Sequence, residues 1–206
     1  MSDIKTIAEY LNTLFQQKTV GTVPGGQFQG KIFQKGQFLG VAELIKKNTG
    51  IKEDDYTVPK IMDANGNDGI NIIINDTYPF QLYHRIIGQK SEDAENVDTF
   101  GDGDEKNITF EMVLIILSDR FSTKIDADAY ITALMLNIPR TIKASNIAGS
   151  QFSKCEINFT ETLTNKSDVL NQEYGKDDVD VKQSYVCLSF GYEVSLTYSK
   201  ECFTLC

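Results

Sequence analysis

Apolar and polar positions along the chain fall into two periods, and the change from one to the other marks its most organised stretch, residues 108–138. Between Ile108 and Met112 the apolar residues alternate with Thr109 and Glu111, the two-residue period of a strand with one wet face. From Val113 to Leu117 every position is apolar, which requires cover on both faces. The strand is therefore expected to start exposed and finish inside, closed by the polar Ser118, Asp119 and Arg120. Ala127, Tyr130, Ile131, Leu134, Met135 and Ile138 then recur at helical spacing, the stripe of an amphipathic helix lying on a sheet. Asp126 is its expected N-cap and Pro139 its stop. Within this stripe Tyr130 and Met135 read as core packing.

The rest of the chain supplies further elements. Ile4, Ile7, Ala8, Leu11, Leu14 and Phe15 predict a first amphipathic helix that ends near Lys18 and is capped by Ser2 or Asp3. Residues 19–40 are rich in glycine and glutamine, with scattered phenylalanines, and read as an extended arm. A short helix is expected over Val41 to Lys47, ended by Gly50. Residues 60–76 read as a hairpin turning at Asn65-Gly66 and Asp68-Gly69, dipeptides that accept positive φ. Its returning strand shows Ile70, Ile72 and Ile74 on one face. Next, Phe80, Leu82, His84 and Ile86 alternate with Gln81, Tyr83, Arg85 and Ile87 as the two faces of another strand.

Residues 91–107 carry seven acids against one base and read as a solvated loop. Residues 140–153 are polar and mixed, a connection. Ile157, Phe159 and Leu163 mark a half-buried strand, and residues 171–183 a second acidic loop. The strongest strand signal comes last. Val186, Leu188, Phe190, Tyr192, Val194, Leu196 and Tyr198 share one face, with small or polar residues on the other, and Gly191 marks a possible bend or bulge. These pieces predict one α+β domain over residues 1–206, a mainly antiparallel sheet with helices on one face, an extended glycine-rich arm at 19–40 and acidic loops.

Composition narrows the partners. A formal net charge of −9 disfavours tracking a phosphate backbone, since that affinity comes mainly from lysine and arginine. It also disfavours anionic membrane surfaces. Acids at Asp3 and Glu9 interrupt the N-terminus, which does not read as a secretory signal, and no stretch approaches the 18 or so apolar residues of a membrane helix. Cys155, Cys187, Cys202 and Cys206 form no CxxC pair, so a zinc cluster is not expected and reduced thiols are.

Four patterns touch chemistry, and each has a plainer reading. Gly25 to Lys31 matches the first seven positions of a phosphate-binding loop. Ile32 stands where Ser or Thr should ligate magnesium, and no strand-to-helix context surrounds it, so a glycine-rich arm is the better account. Asp63, Asn65 and Asn67 fit the first ligand positions of a calcium loop, but Asp68 replaces the required glycine and Ile74 the bidentate glutamate. His84, the only histidine, sits among apolar neighbours and reads as a hydrogen-bonded core or edge residue more readily than as a general base. Asp98, Asp102, Asp104 and Glu105 are acidic company for a cation without a recognisable ligand register. No serine elbow or HExxH motif is present. Catalytic, cofactor-binding and metal residues are accordingly expected to be none.

The order of elements resembles the small neck and tail-completion proteins of tailed bacteriophages, the tail-terminator or head-to-tail connector ring proteins. The matching pieces are IAEYLNTLF, MVLIILSDR, DADAYITALMLNIPR, CEINFTETL and YVCLSFGYEVSLTY. The tryptophan-free composition, rich in Asn, Ile and Lys, is similar to that of phages of AT-rich hosts, crAss-like ones among them. The resemblance implies a non-enzymatic virion subunit assembled in the host cytoplasm. It implies a homo-oligomeric ring around the DNA channel that contacts the portal and other neck or tail proteins, without sequence-specific nucleic-acid binding and without a membrane. The glycine-rich segment at 19–40 and the terminal Cys202 and Cys206 depart from that pattern. The alternative reading is a soluble binding or adaptor domain outside a virion, dependent on a divalent cation.

Overall fold

The computed structural model describes residues 2–17, 37–47, 56–61, 72, 78, 80–93, 105–118, 140–147, 149–163, 169–170, 173–174 and 186–199. Helix α1 spans Ser2–Gln17. Seven strands follow: β1 Gln37–Lys47, β2 Tyr56–Ile61, β3 Phe80–Asp93, β4 Glu105–Ser118, β5 Thr141–Lys143, β6 Lys154–Leu163 and β7 Val186–Ser199. They form one mixed sheet in the order β2-β1-β3-β4-β7-β6-β5. The β1–β3 pair is parallel and the other neighbours are antiparallel.

Strand β4 occupies the middle of the sheet, as its sequence demands. Its first five residues are exposed or half-buried and its last seven are buried. On one face Phe110, Met112, Leu114 and Ile116 pack in a core with Ile4, Ile7, Ala8 and Leu11 of α1 and with Leu188, Phe190, Tyr192 and Val194 of β7. On the other, Val113, Ile115 and Leu117 meet Ala42, Ile72, Tyr83, Val169 and Cys187. Two cores on opposite faces account for the unbroken apolar run, since each further buried aliphatic side chain adds about 1.5–3 kcal/mol. The helix matches its pattern too: Ile4, Ile7, Ala8 and Leu11 are buried and Leu14 half-buried, while Glu9 and Thr13 face outward, the Thr13 hydroxyl donating to the Glu9 carbonyl at 3.0 Å.

Several expectations are corrected. Residues 41–47 are strand β1, paired to β2 and β3; a lone helix that short is costly to nucleate, and pairing on both sides wins. β1 also takes the last four residues of the expected arm, and the rest of the arm lies outside the described residues. The expected acidic loop gives up both its ends: β3 runs to Asp93 and β4 begins at Glu105, with Asp93 opposite Lys106 and Glu92 opposite Asn107 in the ladder. That register sets acid against base or amide, which lessens the repulsion the composition implied. Ser118 is the last residue of β4, not a turn, and is fully buried. The connection at 140–153 contains β5 and a 3₁₀ turn at Ala144–Asn146.

Gly191 makes no bulge against β4, for the β4–β7 register runs unbroken and sets Gly191 opposite Val113. The register shifts fall between Phe38 and Val41, Ile86 and Gly88, and Phe159 and Thr162. A strand hydrogen-bonded along its whole length on one side tolerates an extra residue poorly, and the irregularity passes to its neighbour β6. Within the second expected acidic loop, Glu173 and Tyr174 are helical and buried. Helical residues 169–170 and 173–174 therefore cover the face opposite α1. The hairpin turn at 62–71 and the helix at 126–138 lie outside the described residues. Ile72 donates its N–H to the Pro59 carbonyl at 2.8 Å, which returns the chain beside β2.

Candidate functional site

Strand β3 carries two neighbouring polar residues, His84 and Arg85, into the two cores on opposite faces, and a buried cluster forms around each. Alternation along the strand is the cause. His84 is 0% exposed. Its Nε2 lies 2.8 Å from Oδ1 of Asn12 on α1, and its Nδ1 2.6 Å from the hydroxyl of Tyr192 on β7. An amide oxygen only accepts, so Nε2 carries the proton and Tyr192 donates to bare Nδ1. Asn12 uses its amide nitrogen to reach the Leu39 carbonyl at 3.5 Å. Burial pushes the imidazole down to about 3, and it stays neutral throughout the ordinary range. The Tyr192 ring stands edge-on to it, and the apolar space beside the pair has no room for a water-sized sphere.

On the other face, Arg85 Nε lies 2.9 Å from Glu173 Oε1, and the Tyr83 hydroxyl donates to Glu173 Oε2 at 3.2 Å. Burial pushes the Glu173 carboxyl up, while Arg85 and Tyr83 pull it back. The same burial, with Tyr174 and Glu173 beside it, raises Tyr83 well above the ordinary phenol range. A buried pair of this kind is costly to break by removing one member, and it fastens residues 173–174 to the sheet.

Beyond the second core the same face is polar. Thr109 and Ser195 share a hydrogen bond of 3.0 Å, Thr197 donates to Asn107 at 2.9 Å, Lys90 pairs with Glu111, and Lys154 lies 2.7 Å from Glu156. Glu111 and Glu193 are direct cross-strand neighbours.

Of the residues with candidate chemistry in the sequence, His84 is held as a hydrogen-bonded core residue. Glu105 is exposed at the start of β4, while Asp98, Asp102 and Asp104 lie outside the described residues. So do Gly25 to Ile32, Asp63, Asn65, Asn67, Cys202 and Cys206. Cys155 and Cys187 are buried thiols, and burial pushes Cys155 up to about 12, out of the range of a reactive thiolate. Among the described residues no three metal-ligating side chains converge, and no helix is long and apolar enough to cross a membrane. Asn12, Tyr192 and Glu173 escape sequence reasoning, standing 72, 108 and about 90 residues from their partners on β3. The one available signal was the presence of His84 and Arg85 among Leu82, Tyr83, Ile86 and Ile87. No protein-family model matches the chain, and no curated protein matches it in sequence.

Proposed function

We propose that the chain is a non-enzymatic structural subunit of a tailed-bacteriophage virion, forming a ring at the neck or tail that joins the portal-bearing head to the tail around the DNA channel. The observation that carries this reading is the polar half of the sheet face opposite α1. There Asn107, Thr109, Glu111, Glu193, Ser195 and Thr197 lie half-exposed across two 14-residue strands. A half-exposed polar sheet surface offers a neighbouring subunit area and hydrogen bonds. The polar groups that could do chemistry, His84, Glu173 and Tyr83, are occupied with one another and with Asn12, Tyr192 and Arg85. The net charge of −9 suits a passage where DNA slides without sticking.

In this reading the glycine-rich arm, shortened by β1 to residues 19–36, reaches an adjacent subunit, and the helix of residues 126–138 joins α1 on one face. Electron microscopy of the purified chain, alone and with the portal of the phage that encodes it, tests the proposal. Closed rings are expected, and single subunits under both conditions would contradict it.

A further inference from the structure

We propose that α1 is a clasp released by acid, with His84 as its trigger: a proton on the chain's one histidine detaches α1 from the sheet while the β3–β4–β7 ladder stays paired. His84 sits under the helix with both ring nitrogens on neutral groups, Asn12 of α1 and Tyr192 of β7. The remaining described side chains around it are apolar: Leu11 from α1, Leu114 from β4, Ile157 and Phe159 from β6, and Phe190 from β7. Val41 of β1 is its ladder partner. The titratable groups of this core nearest the ring are the Tyr192 phenol and, beyond it, the Cys155 thiol, both kept neutral by burial; Tyr198 and, at the rim, Tyr10 belong to the same core. Arg140 lies over the Phe159 ring at 5.0 Å, and a cation there repels a second one. Elsewhere on α1, Lys5 is half-buried and Glu9 exposed, and at its start the Asp3 carboxylate faces the sheet and accepts from the Tyr198 hydroxyl at 2.8 Å.

Among the described residues an imidazolium in this position has no counter-charge beside it. Tyr192 must also turn its hydroxyl to accept from Nδ1, which aims its own proton at apolar atoms. The strain is relieved where no backbone ladder has to break. β3 is held by backbone hydrogen bonds to β1 and β4, whereas α1 rests on the sheet through side chains, Asn12 against His84 and Leu39, and Asp3 against Tyr198. Lifting α1 hydrates the ring at the cost of one helix face and no ladder. With an ordinary histidine value of 6.5 once released, each pH unit below it multiplies the release equilibrium about tenfold, or about a hundredfold at pH 4.5.

Amide hydrogen exchange on the untagged full chain from pH 7 to 4, corrected for intrinsic rates, tests this beside NMR of the His84 ring, which alone supplies histidine resonances. Protection of α1 is expected to fall about a hundredfold by pH 4.5 while β4 and β7 keep theirs. The ring is expected to remain the neutral Nε2–H form wherever α1 is protected. In His84→Gln the protection of α1 should lose its pH dependence, and in Asp3→Asn it should keep it. Loss of α1 and β4 protection together, an unchanged profile in His84→Gln, or a ring that titrates near 6.5 under a protected helix would each overturn the proposal. Should His84→Gln not fold, the ring titration in the unaltered chain decides alone.

Discussion

Two adjacent residues, His84 and Arg85, show how one strand serves two cores. Arg85 and Glu173 are each at most 9% exposed in their side chains, so removing one leaves an uncompensated buried charge. Arg85→Met is expected to destabilise the fold by about 3–5 kcal/mol, and the double change Arg85→Met with Glu173→Leu by less, both measured by urea unfolding. Tyr192→Phe leaves Nδ1 of His84 without a donor and should cost about 1–3 kcal/mol in the same assay. The pH dependence has a definite sign. His84 is held at about 3 in the fold against 6.5 ordinarily, so between those values the unfolded chain binds more protons. The contribution is complete above pH 6.5 and falls by about 1.4 kcal/mol per unit as pH drops towards 3. Urea midpoints recorded across that window should decline in the native chain and decline less in His84→Gln. His84 as a core residue could be read from its apolar strand neighbours. Its partners could not, because Asn12 and Tyr192 reach it only once α1 and β7 have met the sheet.

Among the elements, those legible in the sequence are the ones whose pattern had one solution. β4 shows alternation followed by a continuous apolar run, and the two cores lie where that predicts. β7 and α1 carry a single clean period each and are found as such. β1 had two solutions: Val41, Leu44 and Ile45 fit a helical turn as well as a strand, and pairing to β2 on one side and to β3, a distant strand, on the other decides between them. The acidic ends of β3 and β4 were misread for a related reason, since their charges look solvated until the ladder sets Asp93 opposite Lys106. Glu173 and Tyr174 looked like loop until Arg85 and Tyr83 gave the carboxylate partners. This hierarchy has a consequence for exchange at neutral pH. The amides of Leu114, Ile115 and Ile116, inside a strand paired on both sides, should exchange slowest, and those of β5, three residues at the sheet edge, fastest among the strands. Leu114→Ala should cost about 2–5 kcal/mol, because α1 and β7 close on that side chain from one face and cannot both collapse into the gap.

On the scale of the whole molecule, the sheet divides its own two faces unequally. α1 covers one of them along β4 and β7, from Tyr198 beside Asp3 to Leu114 beside Leu11. The opposite face is apolar and covered near Tyr83 and Cys187, but polar and half-exposed from Glu111 and Glu193 onward. The ring proposed above sets this half-exposed polar surface against a copy of the chain around a common axis. That placement in a ring is the central claim, and native mass spectrometry of the chain, alone and mixed with the portal proposed as its partner, tests it most directly. The expected spectrum has one discrete closed multimer, formed by the chain itself or on the portal; a spectrum of monomers in both samples would contradict the account.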